Sequence, residues 1–293
     1  MNNLVVSTAQ SQYEKRHPAL YASGITAAWF GEPYLKRALY HPVYKWVSNS
    51  KNICEKDLLQ YAQKAVKQNL KSDGFEIVNF TPETMEEVTN KYKLNMNPQK
   101  PNIFTKITQI LFRKKRLREE NILTQILNGT NAAFHPQKNI VLCNVEKKGS
   151  TLFHEIGHKM NSQSQNILMK SLIRIKNIPA TIVPLISLIT IATDPKEDNS
   201  KQNIANFIKS NCGILTLGAL LPKTVEEVIA SVKGNKIAKK SGMPEEMLKK
   251  VKNSNKKSII SYISTAIISA VGIQLISNLR DLICMKNVKA DLT

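Results

Sequence analysis

Thr151-Leu152-Phe153-His154-Glu155-Ile156-Gly157-His158-Lys159-Met160 is the segment on which the reading of this chain turns. Leu152, Phe153, Ile156 and Met160 form an apolar stripe around the two histidines, so the segment predicts an amphipathic helix that packs on a core and keeps one polar edge for a cleft. Gly149-Ser150, just ahead, offers a cap. On such a helix residues i and i+4 share a face, which lets His154 and His158 turn both imidazoles toward one metal ion with Glu155 beside them, a place to activate water. The competing reading is two satisfied histidines on a half-buried helix, and the flanking segments decide between the two.

Upstream, Asn139 to Val145 is apolar and rich in β-branched residues between turn formers, and reads as a strand that ends shortly before the histidine helix. A strand alongside a cleft can hold an extended peptide through main-chain hydrogen bonds, and the alternative, which the segment by itself favours, is an ordinary core strand. Downstream, a catalytic zinc needs a third protein ligand while one position stays open for water. In Thr224-Val225-Glu226-Glu227-Val228-Ile229-Ala230-Ser231-Val232-Lys233-Gly234, Glu227 shares a helical face with Ala230, Ser231 and Gly234, small residues that permit a close approach to the histidine helix. Glu226 points roughly a hundred degrees away. Glu227 is the expected ligand, with Glu226 as its substitute.

The order of parts resembles the membrane-bound gluzincin metallopeptidases of the HtpX kind, and is still more similar to the YugP-like zinc metallopeptidases. The residues that carry the resemblance are Asn131-Ala132-Ala133-Phe134, His154-Glu155-Ile156-Gly157-His158, Leu221-Pro222 leading into Glu227-Val228-Ile229-Ala230-Ser231, and Lys239-Lys240-Ser241-Gly242 before the apolar segment near Ser258. The resemblance covers about the C-terminal half to three-fifths of the chain. It implies one Zn2+ per chain held by His154, His158 and Glu227, Glu155 as catalytic base, and Asn131, Ala132, Ala133 and Phe134 as substrate-binding positions. Lys159 and Asn161 depart from the small residue and Gln usual in the YugP-like proteins, and Val232-Lys233-Gly234 stands where they have Arg-Arg-Ala. The expected chemistry is hydrolysis of a peptide bond: the ion lowers the pKa of its water toward about 7 and Glu155 moves the proton from that water to the leaving amine. His135 and Tyr262 are candidates for completing oxyanion stabilisation.

Composition sets outer limits. The 293 residues, 42% of them apolar, can build a substantial core. Four cysteines without a Cys-x-x-Cys pair speak against a Cys-type zinc finger and fit reduced thiols facing a cytosol. Residues 1–20 show no cleavable secretory signal. Ser258 to Leu279 carries no charged residue, and about 20 such residues suffice to span a bilayer. Asn177 to Thr193 and Ser210 to Pro222 are shorter uncharged runs that suit a membrane hairpin, or core helices in a soluble protein. The formal charge of +20 is spread along the chain with two clusters, Arg113-Lys114-Lys115-Arg116-Leu117-Arg118 and Lys249 through Lys257. The second lies just before the best spanning segment, where cations meet anionic headgroups. No nucleic-acid fold motif accompanies either cluster, so no nucleic acid is expected as partner.

The expected architecture is α+β and mainly helical: a zincin core with a small β-sheet and an active-site helix, plus apolar transmembrane helices. Residues 1–98 form an aromatic-rich accessory region holding both tryptophans, Trp29 and Trp46. Within it an amphipathic helix runs from about Lys56 to Leu70, a strand over Phe75 to Phe80, and a helix begins at Thr81-Pro82. Residues 99–257 form the metallopeptidase core, with the hairpin inserted over 177–222. A transmembrane helix over 258–283 and a tail over 284–293 complete the chain. The loop Asp194 to Gln202 is mildly acidic between basic flanks, which directs the catalytic face to the cytoplasm of an integral membrane protein, the alternative being a soluble cytoplasmic one. The expected partners are a protein or peptide substrate and the membrane. The rival functions are a catalytically inactive zincin-fold membrane interaction protein and a basic nucleic-acid binder.

Overall fold

The computed structural model describes residues 57–70, 74–94, 122–129, 131–193 and 203–290. The aromatic stretch through Trp46, the linker over 95–102, the Arg113–Arg118 cluster and the Asp194–Gln202 loop lie outside the described residues. Among the described residues the chain is mainly helical with one three-stranded sheet, and it divides into two units.

The first unit holds residues 57–166 and 227–259. Its elements are α1 (Asp57–Asn69), β1 (Glu76–Asn79), α2 (Met85–Tyr92), α3 (Ile122–Leu127), β2 (Ala132–His135), β3 (Ile140–Cys143), the single turn α4 (Val145–Lys148) and α5 (Leu152–Ser162), which follows a 3-10 turn over Gly149–Thr151. It also takes the later parts of α9 (Cys212–Lys240) and the earlier part of α10 (Glu245–Ala290). In the sheet β3 lies between β1, to which it is parallel, and β2, to which it is antiparallel, with Phe134 opposite Val141 and Ala132 opposite Cys143. All four residues of β3 are buried, and their side chains alternate between two cores. Val141 and Cys143 join Leu58, Phe75, Leu152, Phe153 and Ile156, whereas Ile140 and Leu142 join Phe80, Val88, Leu123 and Ile126.

The strand read over Asn139–Val145 is the ordinary core strand and not a peptide-holding edge: β3 is apolar at every position and covered on both faces, and both its edges are already paired. The outer strands among the described residues are β1 and β2, and β2, whose alternation is too short to stand out in the sequence, is the one that lies along α5. Ser150 does not cap α5 either. Its hydroxyl accepts from Ser254 Oγ at 3.1 Å, and Asn144 caps the preceding turn by accepting the Lys147 N–H at 3.2 Å.

The second unit holds 167–193, 203–226 and 260–290: α6 (Ile167–Ile175), α7 (Pro179–Ala192), α8 (Asn203–Ser210), the first part of α9 and the rest of α10. It buries a small apolar cluster, Ile186, Cys212 and Ile273, and leaves much apolar side chain on its surface. Ile263, Ile267, Val271, Leu275 and Leu279, spaced one turn apart on α10, are exposed, as are Ile182, Leu185 and Leu188 on α7 and Ile214, Leu217 and Leu221 on α9. Ser187, Thr190, Lys209, Thr216 and Ser277 are buried. Lys209 Nζ pairs with Asp281 at 2.7 Å and donates to the Thr193 carbonyl at 3.2 Å, closing the C-terminal end of α7. Among the described residues one helix, over Glu245–Leu279, is long and apolar enough to cross a membrane, and Ile204–Ser210 with Cys212–Lys240, bent by 78°, makes a second candidate if the pair is one span. The 14 residues of α7 reach about 21 Å, short of the roughly 30 Å of a hydrocarbon core. The returning arm of the expected hairpin does not stop at Pro222: α9 runs from Cys212 through Glu227 to Lys240 as one helix.

Candidate metal centre

The histidine helix is held in place by its apolar side, where Leu152, Phe153 and Ile156 are wholly enclosed, and the edge bearing His154 and His158 finds polar company. That company comes from α9. Gly157 on α5 and Gly234 on α9 let the two backbones touch, since a Cβ at Gly157 would lie 1.9 Å from the Ala230 carbonyl oxygen and one at Gly234 would lie 2.2 Å from that of Phe153. Any larger residue at either position would hold the helices apart. With the helices this close, Glu227 reaches the histidines.

The three side chains converge on one point. His154 Nε2 and His158 Nε2 are 3.1 Å apart, and each lies 3.2 Å from Glu227 Oε2. Ligand atoms held about 2.0–2.1 Å from one tetrahedral ion stand about 3.3 Å from one another, so this triangle needs little adjustment to hold a metal ion. Two imidazoles and one carboxylate leave a fourth position open. Ser231, one turn beyond Glu227 on α9, sets its hydroxyl 2.9 Å from His154 Nδ1 and so keeps Nε2 turned to the centre. Burial works to raise the Glu227 carboxyl, but its hydrogen bonds with His154 and His158 outweigh that and hold it well below the usual carboxylate range.

Glu155 faces the sheet side of α5. Burial pushes its carboxyl above the ordinary value, and Oε2 accepts the main-chain N–H of Phe134 at 2.8 Å. The structure thus brings His154, His158, Glu227, Glu155 and Phe134 together within the first unit. Glu226 is not among them. Its side chain is buried and meets Lys176 at 3.4 Å, because a neighbour in a helix turns roughly a hundred degrees away. His135 Nδ1 accepts the Lys138 N–H in the β2–β3 turn, and Tyr262 belongs to α10 in the second unit.

Three contributors escape sequence reasoning. Ser231 reads there only as a small residue. Lys159 is buried with its ammonium on Asn139 Oδ1 and over the Phe75 ring, tying α5 to the β2–β3 turn. Asn139 itself, at φ 56°, takes the left-handed conformation that Asn tolerates best among residues with a side chain, which is the one local signal for that turn. Asn131, which the sequence does single out, caps the outward N–H of Ala132 at 2.9 Å and is itself held by Gln125. No family model, curated protein or solved structure matches this chain.

Proposed function

We propose that the chain is a zinc-dependent endopeptidase of gluzincin type, acting on proteins or peptides at the cytoplasmic face of a membrane. The observation that carries the reading is the convergence of His154 Nε2, His158 Nε2 and Glu227 Oε2 on one point with a buried carboxylate, Glu155, on the next residue. A zinc ion bound there supplies Lewis acidity to a water and to the scissile carbonyl. The chain's own residues do the rest. Glu155 takes a proton from the attacking water as its oxygen bonds to the carbonyl carbon, and returns that proton to the amine as the C–N bond breaks. Burial raises the proton affinity of Glu155, which suits a base that must accept and then release a proton. Ser231 orients His154, and β2 offers main-chain groups to an extended substrate.

Membrane residence is supported by the long apolar helix and by the exposed apolar stripes of the second unit. The lysines from Lys249 to Lys257, at the start of that same helix, favour the cytoplasmic side. Metal analysis of the full chain tests ligand and class together. One zinc per chain, lost in His154→Ala, is expected, with casein hydrolysis that Glu155→Gln abolishes while keeping its zinc. A chain that binds no divalent metal, or full activity in Glu155→Gln, would overturn the proposal.

A further inference from the structure

We infer that the Phe134 N–H serves two acceptors in turn, holding the Glu155 carboxylate in the free enzyme and passing to a main-chain carbonyl of the substrate when an extended peptide pairs with β2. This rests on the peptidase reading and adds a gate to it: the base is released by the substrate it acts on.

The geometry follows from the ladder. In an antiparallel strand the N–H and C=O of one residue point to the same side and those of the next residue to the other. Phe134 sends its N–H to Glu155 Oε2 at 2.8 Å, so the main-chain groups of Phe134 face away from β3, and those of Ala132, two residues back, face the same way. Both outward donors of this four-residue edge are covered by side-chain oxygens, Phe134 by Glu155 and Ala132 by Asn131 Oδ1 at 2.9 Å. Side-chain caps of this kind protect an edge from unwanted pairing. Here one of the two caps is the carboxylate next to the metal ligands, on a helix that lies along β2.

A peptide that adds to the edge of β2 needs the Phe134 N–H for its own carbonyl. One N–H with good geometry serves one acceptor, so Glu155 must let go, and no proton moves in that exchange. A carboxylate this buried does not stay without a donor, because the loss of a charge-assisted hydrogen bond is costly there. The attacking water, the other donor within reach of a base in that position, takes the place of Phe134. Unproductive water activation is thereby held down until a segment is paired along the strand, and the enzyme selects chains that can adopt an extended conformation.

The test uses the zinc-loaded full chain in detergent micelles and fluorescein-labelled, carboxymethylated casein as an unfolded probe. Glu155→Ala and Glu155→Gln both lack the base and leave the probe intact, but only Gln keeps an oxygen for the Phe134 N–H. Glu155→Ala is expected to bind the probe about fivefold more tightly than Glu155→Gln, the worth of one neutral hydrogen bond. The Phe134 amide is expected to be protected from hydrogen exchange in Glu155→Gln without probe, and in Glu155→Ala only once probe is added. Zinc content equal to that of the parent protein certifies both folds. Equal affinity and equal Phe134 protection in the two variants would overturn the exchange. Hydrolysis of the same casein by the parent protein separates the two proposals: cleavage with equal affinities sinks the gate alone, and no cleavage with unequal affinities sinks the peptidase reading while the edge exchange stands.

Discussion

His154 shows how much of a metal site depends on a residue that touches no metal. Its Nε2 is one corner of the ligand triangle, and its Nδ1 is fixed by the Ser231 hydroxyl at 2.9 Å. Ser231→Ala is therefore expected to weaken zinc binding by about 10- to 100-fold, read by competition with a chelator of known affinity, while the far-ultraviolet circular dichroism stays unchanged. An unaltered zinc affinity would remove Ser231 from the site. Glu155→Gln keeps the size and a hydrogen-bond acceptor but loses the base, so hydrolysis is expected to fall by at least about a hundredfold with zinc retained. His154 and Glu155 are adjacent in sequence yet face different elements, α9 and β2, so that one segment can supply both the ligand and the base that the proposed reaction needs.

The helix pair α5 and α9 sets the depth of the site. Their contact depends on Gly157 and Gly234, each of which has a main-chain oxygen of the facing helix where a Cβ would go. A carbonyl cannot swing aside as a long side chain can. Gly157→Ala is therefore expected to cost about 3 kcal/mol in thermal or denaturant unfolding and to lower zinc content together with stability. Gly218→Ala, on the same helix α9, makes the opposite case, since nothing lies within 4 Å of its added methyl. It is expected to stabilise by about 0.5–1 kcal/mol by restricting the unfolded backbone. A neutral Gly157→Ala would show that the helices can part without harm and that Glu227 does not depend on their closeness. The edge strand β2 is the other element that matters, and its value lies in its main chain rather than in its short run of side chains.

For the whole chain, the contrast between the two units is the main physical fact. The first hides its apolar residues in two cores on the faces of a sheet. The second buries a small apolar cluster, several serines and threonines and the Lys209 ammonium, while rows of isoleucines and leucines lie exposed. Exposed apolar area of that extent is the mark of an interaction surface, of which a membrane is the one proposed above. The protein is expected to stay with membranes after alkaline carbonate washing and to enter the detergent phase on phase separation. Recovery in the aqueous fraction in both experiments would return the apolar helices to the core of a soluble protein. Lysines 249, 250, 252, 256 and 257 lie on α10 just ahead of its uncharged run, and binding to vesicles is expected to strengthen with anionic lipid and weaken with salt.

The amino-acid sequence by itself determined what depends on short-range spacing: the i, i+4 pair His154 and His158, the face shared by Glu227, Ala230, Ser231 and Gly234, and the uncharged run from Ser258 to Leu279. These survive because helix geometry is local and fixes which residues share a face. Tertiary structure alone decided the rest. That β3 is central and β1 and β2 the outer strands is a matter of strand order, which no local pattern encodes. That the Glu227 carboxylate comes within reach of His154 and His158 follows from the close crossing of α5 and α9, where Gly157 faces the Ala230 carbonyl and Gly234 that of Phe153. The Phe134 N–H and the Ser231 hydroxyl became part of the site only when packing brought them there, since a hydrogen bond between distant segments leaves no spacing in the chain to read.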